Sequence, residues 1–331
     1  MSNLAIKIGA LVRLGEYMLS EDPAWEAAKD RAVQRNQWFT PESIALAVKH
    51  IVRGFLQEQA LDEWAIDYPL PAAIHTVGLT MAGNIPMVGF QDMLCGYISG
   101  HRLKIKYSSK DEVLIPFLLQ QLAQWDPEGV ALIAQADMLK DCDAYIATGS
   151  NNSSRYFEQY FAKYPHIIRR NRTSVAVLDG TESAEDLELL ADDVFSYFGL
   201  GCRNVTQVCV PEGYDFDPLL QAFRKYSYLM DHHKYRNNYD YYLAIYLLNQ
   251  VPYLSNDVVL MVQNEIPFAA VSVVHYRYYK DLEQMISELQ GSSDIQCIAG
   301  KYGIPFGQTQ EPGLYDYADG VDVRTFLAGL S

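Results

Sequence analysis

The sequence has few cysteines and few basic residues for its length of 331. Its five cysteines are an odd number at irregular spacing and include no C-x-x-C pair, which supports neither a disulfide framework nor a zinc site. Against 41 Asp and Glu there are only 26 Lys and Arg, a net charge of −15. This argues against nucleic acid as a partner, because phosphate binding depends on basic side chains. Thiols without a disulfide pattern favour a cytoplasmic protein.

The sequence also lacks a long apolar run. No segment approaches the roughly 20 apolar residues of a membrane helix, so we expect no membrane span. The amphipathic N-terminus shows no cleavage pattern of a signal peptide. Hydrophobic residues nevertheless make up 49% of the chain, enough for a folded core. The length favours two domains over one.

Helical and strand patterns alternate along most of the chain. The first 60 residues have helical periodicity, and Thr40 followed by Pro41 is typical of a helix start. Strand-like segments then alternate with amphipathic helical ones, which predicts parallel sheets with helices on their faces. Within this pattern we expect a short helix at "MLKDC", residues 138–142, and a helical segment over residues 217–233.

Three loops at predicted strand ends contain residues suited to binding a ligand. Asn84 in "AGNIP" can donate to an oxyanion, although Gly-Asn-x-Pro is also ordinary turn chemistry. Lys106 ends a strand and is followed by Ser109, which suits phosphate or ribose, although a solvated basic patch is the alternative. In "ATGSNNSS" the backbone can approach a phosphate at a helix start; alternatively Ser153 or Ser154 simply caps the helix.

The stretch "FGLGCRNVTQVCVP" places Cys202 on a glycine-rich turn before an alternating strand. Such a turn gives a thiol room for a substrate and nearby backbone N–H groups, as a nucleophile needs. Cys209 lies within the alternating strand and Cys95 in a helical segment, so we predict that both belong to the core. The neighbours His232 and His233 do not share a helix face, and we predict no metal site.

The order of these segments resembles the aldehyde dehydrogenase superfamily. That superfamily has an Asn-x-Pro loop, a strand ending near Lys, a Gly-Ser loop, a Gly-Gln-x-Cys turn and a Glu-Ile-Phe-Gly-Pro segment. Here the last of these corresponds to "QNEIPFAAVSVV", and leucine replaces the glutamine at position 200. Within the superfamily the chain is most similar to the LuxC-type long-chain acyl-CoA reductases. The similar stretches are "TMAGNIPMVG", "LKIKYSSKD", "YFGLGCRNVTQVCVP" and "PFGQTQEPGLYDYADG".

The resemblance implies an α/β fold of the aldehyde dehydrogenase type, with two Rossmann-like three-layer αβα domains. We expect a cofactor-binding domain with a helical N-terminal segment over residues 1–185. A catalytic domain that includes the cysteine is expected over residues 186–310. The tail, residues 311–331, is expected to return to the first domain or to a neighbouring subunit. Members of the superfamily usually form dimers or tetramers, so the resemblance implies a homo-oligomer as well.

The resemblance further implies an enzyme, an NAD(P)H-dependent acyl-CoA reductase. It converts an acyl-CoA or another acyl thioester into an aldehyde through an acyl-enzyme on Cys202. Asn84 is then an oxyanion donor and the second catalytic residue. The residues implied to bind the cofactor are Lys106, Ser109, Gly149, Ser150 and Glu265.

Two departures from the superfamily pattern bear on the chemistry. Ser109 stands where an acid would repel a 2′-phosphate, so NADPH is expected as the cofactor, with NADH as the alternative. The segment "YPHIIRRNRTSV" contains no acid where hydrolytic members have a general base, which keeps the thioester available for reduction. Two alternatives stay open: a short-chain CoA-acylating aldehyde dehydrogenase, and a non-catalytic relative that binds nucleotide or a partner subunit.

Overall fold

The computed structural model describes residues 3–69, 71, 73–149 and 151–330. The chain forms two compact units, Met1–Asn171 together with Pro312–Ser331, and Arg172–Glu311. The strand at 173–177 pairs with strands of the second unit. Residues 172–185, which the sequence-based division places in the first domain, therefore lie in the second unit.

The first unit begins with a helical segment and continues into a sheet with helices. In chain order its elements are α1 (Leu4–Met18), α2 (Pro23–Arg35), α3 (Pro41–Phe55), α4 (Glu58–Ile66), β1 (Thr76–Thr80), α5 (Phe90–Ser99), β2 (Arg102–Lys106), α6 (Leu114–Leu122), α7 (Pro127–Val130), β3 (Ile133–Gln135), β4 (Ala144–Thr148), α8 (Asn151–Phe161) and β5 (His166–Arg169).

The five strands of this unit form one parallel sheet in the order β3-β2-β1-β4-β5. From the central strand β1 the chain adds β2 and then β3 on one side, and it afterwards crosses over to add β4 and β5 on the other side. In register, Thr80 of β1 lies opposite both Lys106 of β2 and Ala147 of β4. The carboxyl ends of these three strands are therefore level, which brings the loops that follow them to one edge.

The helical N-terminal segment begins its third helix as predicted. Thr40 is the N-cap of α3, its side chain accepts from the Ser43 N–H at 3.1 Å, and Pro41 opens the helix. The Ser43 hydroxyl in turn accepts from the Thr40 N–H at 2.9 Å. Trp25 and Trp64, both fully buried, lie among these helices. The segment is thus part of the first unit's core.

The second unit is a larger sheet with helices. In chain order its elements are β6 (Thr173–Val177), α9 (Ala184–Phe195), β7 (Val205–Pro211), α10 (Asp217–Phe223), α11 (His233–Leu248), β8 (Leu254–Ser255), β9 (Leu260–Gln263), β10 (Val273–Tyr279), α12 (Leu282–Gln290) and β11 (Ile295–Ala299). The chain then returns to the first unit and ends with α13 (Val323–Ala328).

The sheet of the second unit has the order β11-β6-β7-β10-β9-β8, and its pairs are parallel except for β8 with β9. Val175 of β6 and Val208 of β7 are fully buried, as central strands covered on both faces require. Two helix-covered sheets, one parallel and the other parallel except for the β8–β9 pair, confirm the predicted α/β class.

The C-terminal tail is held by polar and aromatic contacts of the first unit. A ring nitrogen of buried His101 lies 3.0 Å from the Leu327 carbonyl oxygen. The indole N–H of Trp64 donates to the Tyr317 hydroxyl at 2.9 Å. The Arg324 guanidinium lies 4.5 Å from the Trp64 ring centroid, a cation–π contact. These contacts integrate α13 into the first unit.

The prediction of a short helix at residues 138–142 is wrong. Residues 138–142 are irregular, because Asp141 adopts φ 55° and the Lys104 ammonium donates to the Lys140 carbonyl. The helical segment expected over residues 217–233 is present as α10, which ends at Phe223, followed by a 3₁₀ helix over Arg224–Asp231. Within the described ranges, none of the helices combines the length and the hydropathy that crossing a bilayer requires.

Candidate active site

The loops after β1 and β2 pack directly against each other. A side-chain carbon placed on Gly83 would lie 2.8 Å from the Ser108 Cβ, too close for any residue but glycine. Below this contact, the Met81 N–H donates to the Lys106 carbonyl at 3.1 Å. The predicted Asn84 and Lys106 segments are therefore neighbours at the carboxyl edge of the first sheet. In open parallel sheets this edge is where ligands bind.

Asp111 fixes the loop that contains Asn84. Its carboxylate accepts from the Met87 N–H at 2.6 Å, and Met87 itself adopts the left-handed φ of 55°. Asp111 is 6% exposed, and no donor among the described residues reaches its second oxygen, Oδ1. Burial raises the pKa of this carboxyl to about 6, although the N–H groups of Met87 and Leu114 lower it. Sequence reasoning did not identify this residue.

The raised pKa of Asp111 predicts a pH-dependent stability. Its pKa is about 6 in the folded protein, against 3.8 for an ordinary aspartate, so folding favours the protonated carboxyl. This preference is fully present below about pH 4 and is lost as the pH rises through about 6. The Asp111→Asn protein does not titrate here. We expect its free energy of unfolding, relative to wild type, to rise across this window by at most about 3 kcal/mol.

Urea unfolding of both proteins at several pH values measures this difference. The matched control is Glu112→Gln, which removes a neighbouring, exposed carboxylate and is expected to show no such trend. A difference between Asp111→Asn and wild type that stays constant across the pH window contradicts the assignment.

The predicted cofactor residues of the first unit lie in two of these edge loops. Lys106, the last residue of β2, and Ser109 are both exposed. Gly149 follows the end of β4 and is half-buried, and α8 begins at Asn151. Ser150 lies outside the described residues. The alternative in which Ser153 or Ser154 caps the helix is wrong, because both lie inside α8.

In the second unit, a strained segment leads from α9 to Cys202. Tyr197, Phe198 and Gly199 all have left-handed backbones, with φ of 54°, 59° and 74°. This conformation costs a non-glycine residue about 1–2 kcal/mol, so tertiary contacts must hold it. Both aromatic side chains are buried, and the Phe198 ring lies 4.5 Å from the His232 ring.

Cys202 occupies the centre of a closed turn. The Asn204 N–H donates to the Gly201 carbonyl at 3.1 Å, and the Asn204 side-chain oxygen accepts from the Gly201 N–H at 2.8 Å. Cys202 and Arg203 are thus the two central residues, and both are half-buried. The thiol has the setting that the sequence predicts, a tight turn directly before β7.

A serine and a second cysteine lie behind this turn. The Ser174 hydroxyl donates to the Cys202 carbonyl at 3.0 Å and lies 3.0 Å from the Cys297 sulfur. Because the hydroxyl has a single proton, the Cys297 thiol must donate the second bond. Burial raises the pKa of Cys297, which agrees with a protonated thiol. Neither Ser174 nor Cys297 was identified from the sequence.

The segment around Glu265 lies along the same sheet. Gln207 of β7 donates to the Asn264 carbonyl at 2.8 Å, and the Thr206 hydroxyl donates to the Pro267 carbonyl at 2.6 Å. Glu265 itself is 74% exposed, with a carboxylate oxygen 3.3 Å from the Arg277 guanidinium. Thr206 is four residues beyond Cys202, so the two predicted segments of this unit are adjacent.

The remaining cysteine and histidine predictions concern core packing and metals. Cys95 and Cys209 are fully buried, which confirms them as core residues. Burial raises the pKa of Cys209 to about 12, so this thiol stays protonated. All five cysteines lie in the described part of the chain and are thiols. The described residues contain no group of three or more His, Cys, Asp or Glu that could hold a metal ion.

Sequence and structural comparisons point in one direction. The family model described as acyl-CoA reductase (LuxC) matches residues 16–214, more than half of the chain. No curated protein sequence matches this chain.

Among solved structures, the chain is similar to aldehyde dehydrogenases. Aldehyde dehydrogenase 21 from Physcomitrella patens, solved with the reaction product succinate, is 11% identical with a TM-score of 0.68, over 90% of this chain and 74% of that one. An indole-3-acetaldehyde dehydrogenase from Pseudomonas syringae, solved with NAD+ and IAA, is 12% identical with a TM-score of 0.67, over 90% of this chain and 72% of that one. The NAD+ complex of an aldehyde dehydrogenase from Bacillus cereus is 13% identical with a TM-score of 0.62, over 90% of this chain and 72% of that one. At these identities the likeness shows a common fold.

Proposed function

Because the chain belongs to the LuxC family of acyl-CoA reductases, we propose that it makes an acyl-enzyme on Cys202 and reduces this to an aldehyde with NADPH. Acyl-CoA reduction with a nicotinamide nucleotide is the activity of the family. The choice of Cys202 is supported above all by its turn, which is closed on both sides by Asn204. The buried thiols of Cys95, Cys142 and Cys209 offer no access to a substrate.

In the proposed reaction the Cys202 thiolate attacks the thioester carbonyl of the acyl-CoA. The tetrahedral intermediate expels CoA as a thiolate and leaves an acyl-cysteine. When bound, the nicotinamide supplies the chemistry of a hydride donor to that acyl group. The resulting thiohemiacetal anion breaks its carbon–sulfur bond, which releases the aldehyde and regenerates the Cys202 thiolate; the one proton taken up overall ends on the expelled CoA thiolate.

Two donors are proposed for the oxyanion of the tetrahedral intermediate. One is the Asn84 side-chain amide, on a loop that Asp111 and the Gly83–Ser108 contact hold in place. The other is the backbone N–H of Cys202, in a turn whose neighbouring peptide groups are hydrogen-bonded. Fixed donors of this kind are worth about 3 kcal/mol each, because they need no reorganisation.

The absence of a general base is proposed to protect the acyl-enzyme from water. The segment "YPHIIRRNRTSV" has no acidic residue of its own. Asp92 of α5 does reach Arg169 of this segment, but both carboxylate oxygens accept from the Arg169 guanidinium in a buried pair. Because both of its oxygens are engaged by the guanidinium, this carboxylate is not placed to accept a proton from water.

The residues at the edge of the first sheet fit a dinucleotide phosphate. Lys106 presents an exposed cation at the level carboxyl ends of the strands, and α8 begins two residues after Gly149. We assign Lys106 and Ser109 to the adenosine ribose and its 2′-phosphate, and Gly149 and Ser150 to the pyrophosphate. Glu265 of the second unit is assigned to the nicotinamide ribose. On this proposal the first unit binds the cofactor, and the second contributes the catalytic thiol.

The preference for NADPH is expected to depend on the lack of an acid at position 109. In the Ser109→Glu protein a carboxylate repels the 2′-phosphate. We expect the ratio of kcat/KM for NADPH to that for NADH to fall by about 10-fold or more. Steady-state kinetics with each cofactor measure the ratio. Ser109→Gln, similar in size but neutral, is the control. An equal fall in both variants contradicts the assignment.

Three finer points of the proposal come from the family resemblance and the sequence. We propose a long-chain acyl group as the substrate, a homo-oligomer as the assembly and the cytoplasm as the location. The cysteine pattern, which offers no disulfide framework, supports the last point.

The proposal is tested by NADPH oxidation with a series of acyl-CoA chain lengths and direct detection of the aldehyde. We expect stoichiometric aldehyde and CoA, with the highest kcat/KM for long chains. A preference for short chains would replace the substrate assignment. No aldehyde from any acyl-CoA would overturn the proposed function.

A further inference from the structure

The side chain of Asn204, two residues after Cys202, is extensively hydrogen-bonded. It is fully buried. Its amide nitrogen donates to the Asp193, Val194 and Ser196 carbonyls at 3.1, 3.2 and 2.8 Å. These carbonyls lie at the C-terminal end of α9, where a helix leaves its acceptors unsatisfied. Its side-chain oxygen accepts from the Gly201 N–H. One side chain therefore joins the end of the helix to the residue before the nucleophile.

The same hydrogen bonds fix the direction of the Cys202 N–H. The Gly201 carbonyl points into the turn, because it accepts from the Asn204 N–H. In a trans peptide the C=O and the following N–H point in opposite directions, and none of the peptide bonds is cis in the described residues. The Cys202 N–H therefore points away from the interior of the turn. On the other side, Ser174 holds the Cys202 carbonyl.

The end of α9 that Asn204 binds is itself anchored. The buried Asp193 carboxylate accepts from the Gly307 N–H at 2.8 Å and from the N–H and hydroxyl of Thr309 at 3.0 and 2.7 Å. A rigid support is what a positioning side chain needs, because errors of about 1 Å at a reacting group can cost roughly 100-fold in rate. It also explains how the left-handed Tyr197 and Phe198 are held.

We propose that Asn204 is the positioning residue of the nucleophile: it closes the turn around Cys202 and aims the Cys202 N–H at the developing oxyanion. This inference rests on the proposed function and deepens it. Asn204 touches neither substrate nor cofactor on this view, so its loss changes the rate of the chemical step and leaves substrate binding intact.

A matched control exists in the same unit. Asn256 is also buried, donates to the Leu220 carbonyl at 2.7 Å, and accepts from the Val258 and Val259 N–H groups at 3.1 Å. It fixes a loop as Asn204 does, but in a different turn. Asn204→Ala and Asn256→Ala therefore both remove a buried, loop-fixing amide. Only the first removes it from the turn of Cys202.

The first readout is steady-state kinetics on folded protein, with melting temperatures to compare stability. We expect Asn204→Ala to lower kcat for acyl-CoA reduction by about 10- to 100-fold with KM changed less than about 3-fold. Asn256→Ala is expected to keep kcat within about 3-fold. If Asn204→Ala does not fold, Asn204→Ser, whose hydroxyl can still accept from Gly201, takes its place. Equal effects of the two positions on kcat overturn the inference.

The second readout does not depend on reductase activity. Alkylation of Cys202 by iodoacetamide is followed by peptide mass spectrometry as a function of pH, without acyl-CoA. Loosening the turn and exposing the α9 carbonyls disfavours the thiolate, so we expect the Cys202 profile in Asn204→Ala to move up by about one pH unit. Asn256→Ala should match wild type. An Asn204→Ala profile that matches wild type contradicts the inference. If the wild-type protein lacks reductase activity but the Asn204→Ala profile is still shifted, only the proposed function is refuted.

Discussion

Replacing Cys202 by alanine is expected to lower kcat for acyl-CoA reduction by at least about 10⁴-fold. The reason is that no acyl-enzyme can form, and direct hydride transfer to a thioester would have to proceed without the covalent intermediate. The turn itself should persist, because its hydrogen bonds involve Gly201, Asn204 and the backbone carbonyl of Cys202. Coupled NADPH oxidation and aldehyde detection measure the loss.

The control for this prediction is Cys142→Ser. Cys142 is a buried thiol of the first unit, remote in sequence from the proposed nucleophile. This variant is expected to retain activity within a few-fold of wild type. Comparable activity in the Cys202→Ala protein would show that another group carries the acyl chain or that none does.

Replacing Asn84 by alanine is expected to lower kcat by about 100- to 1000-fold, the usual cost of one oxyanion donor. The KM for acyl-CoA should change little, because the oxyanion exists only in the transition state and the intermediate. The loop should survive the change, since neither the Met87–Asp111 hydrogen bond nor the close packing of Gly83 on Ser108 involves Asn84.

The Asn84→Asp protein separates this role from an ordinary turn. Aspartate suits the same turn conformations as asparagine, so a purely structural Asn84 predicts nearly normal kcat. An oxyanion donor predicts a loss at least as large as that of alanine, because a carboxylate repels the developing negative charge. Retention of kcat by Asn84→Asp is the result that would refute the catalytic role.

The sequence predicts the class of fold because the information for it is local. The alternation of strand and helix patterns indicates parallel sheets, and the Thr40–Pro41 pair marks the start of α3. The division into units is less accessible. The strand at 173–177 follows the first sheet in the chain but pairs with β7 and β11, and β11 lies more than 100 residues later. Local sequence patterns do not indicate which distant strand a given strand pairs with.

The proposed site residues were accessible from the sequence where the residue type itself suits the chemistry. Cys202 and the strand-end residues Asn84 and Lys106 have side chains that suit a nucleophile, an amide donor and a cation. The supporting residues were not, because their partners are distant in sequence. Asp111 bonds to a residue 24 positions away, and Ser174 to one 28 positions away. An asparagine two residues after the nucleophile was the one available signal for Asn204.

The backbone around Cys202 was the least predictable part. Consecutive aromatic residues rarely adopt a left-handed conformation, yet Tyr197 and Phe198 both do. Their conformation is set by burial and by the contacts of Asn204 with the end of α9. Tertiary structure here overrides local preference, as it often does where strain is stored at functional sites.

The most direct test of the account is the mass of the protein mixed with a long-chain acyl-CoA in the absence of NADPH. We predict that one acyl group is added per chain, that it maps to the peptide containing Cys202, and that NADPH then removes it with release of the aldehyde. A peptide of Cys202 that stays unmodified, or an acyl group on another residue that NADPH discharges, would contradict the account.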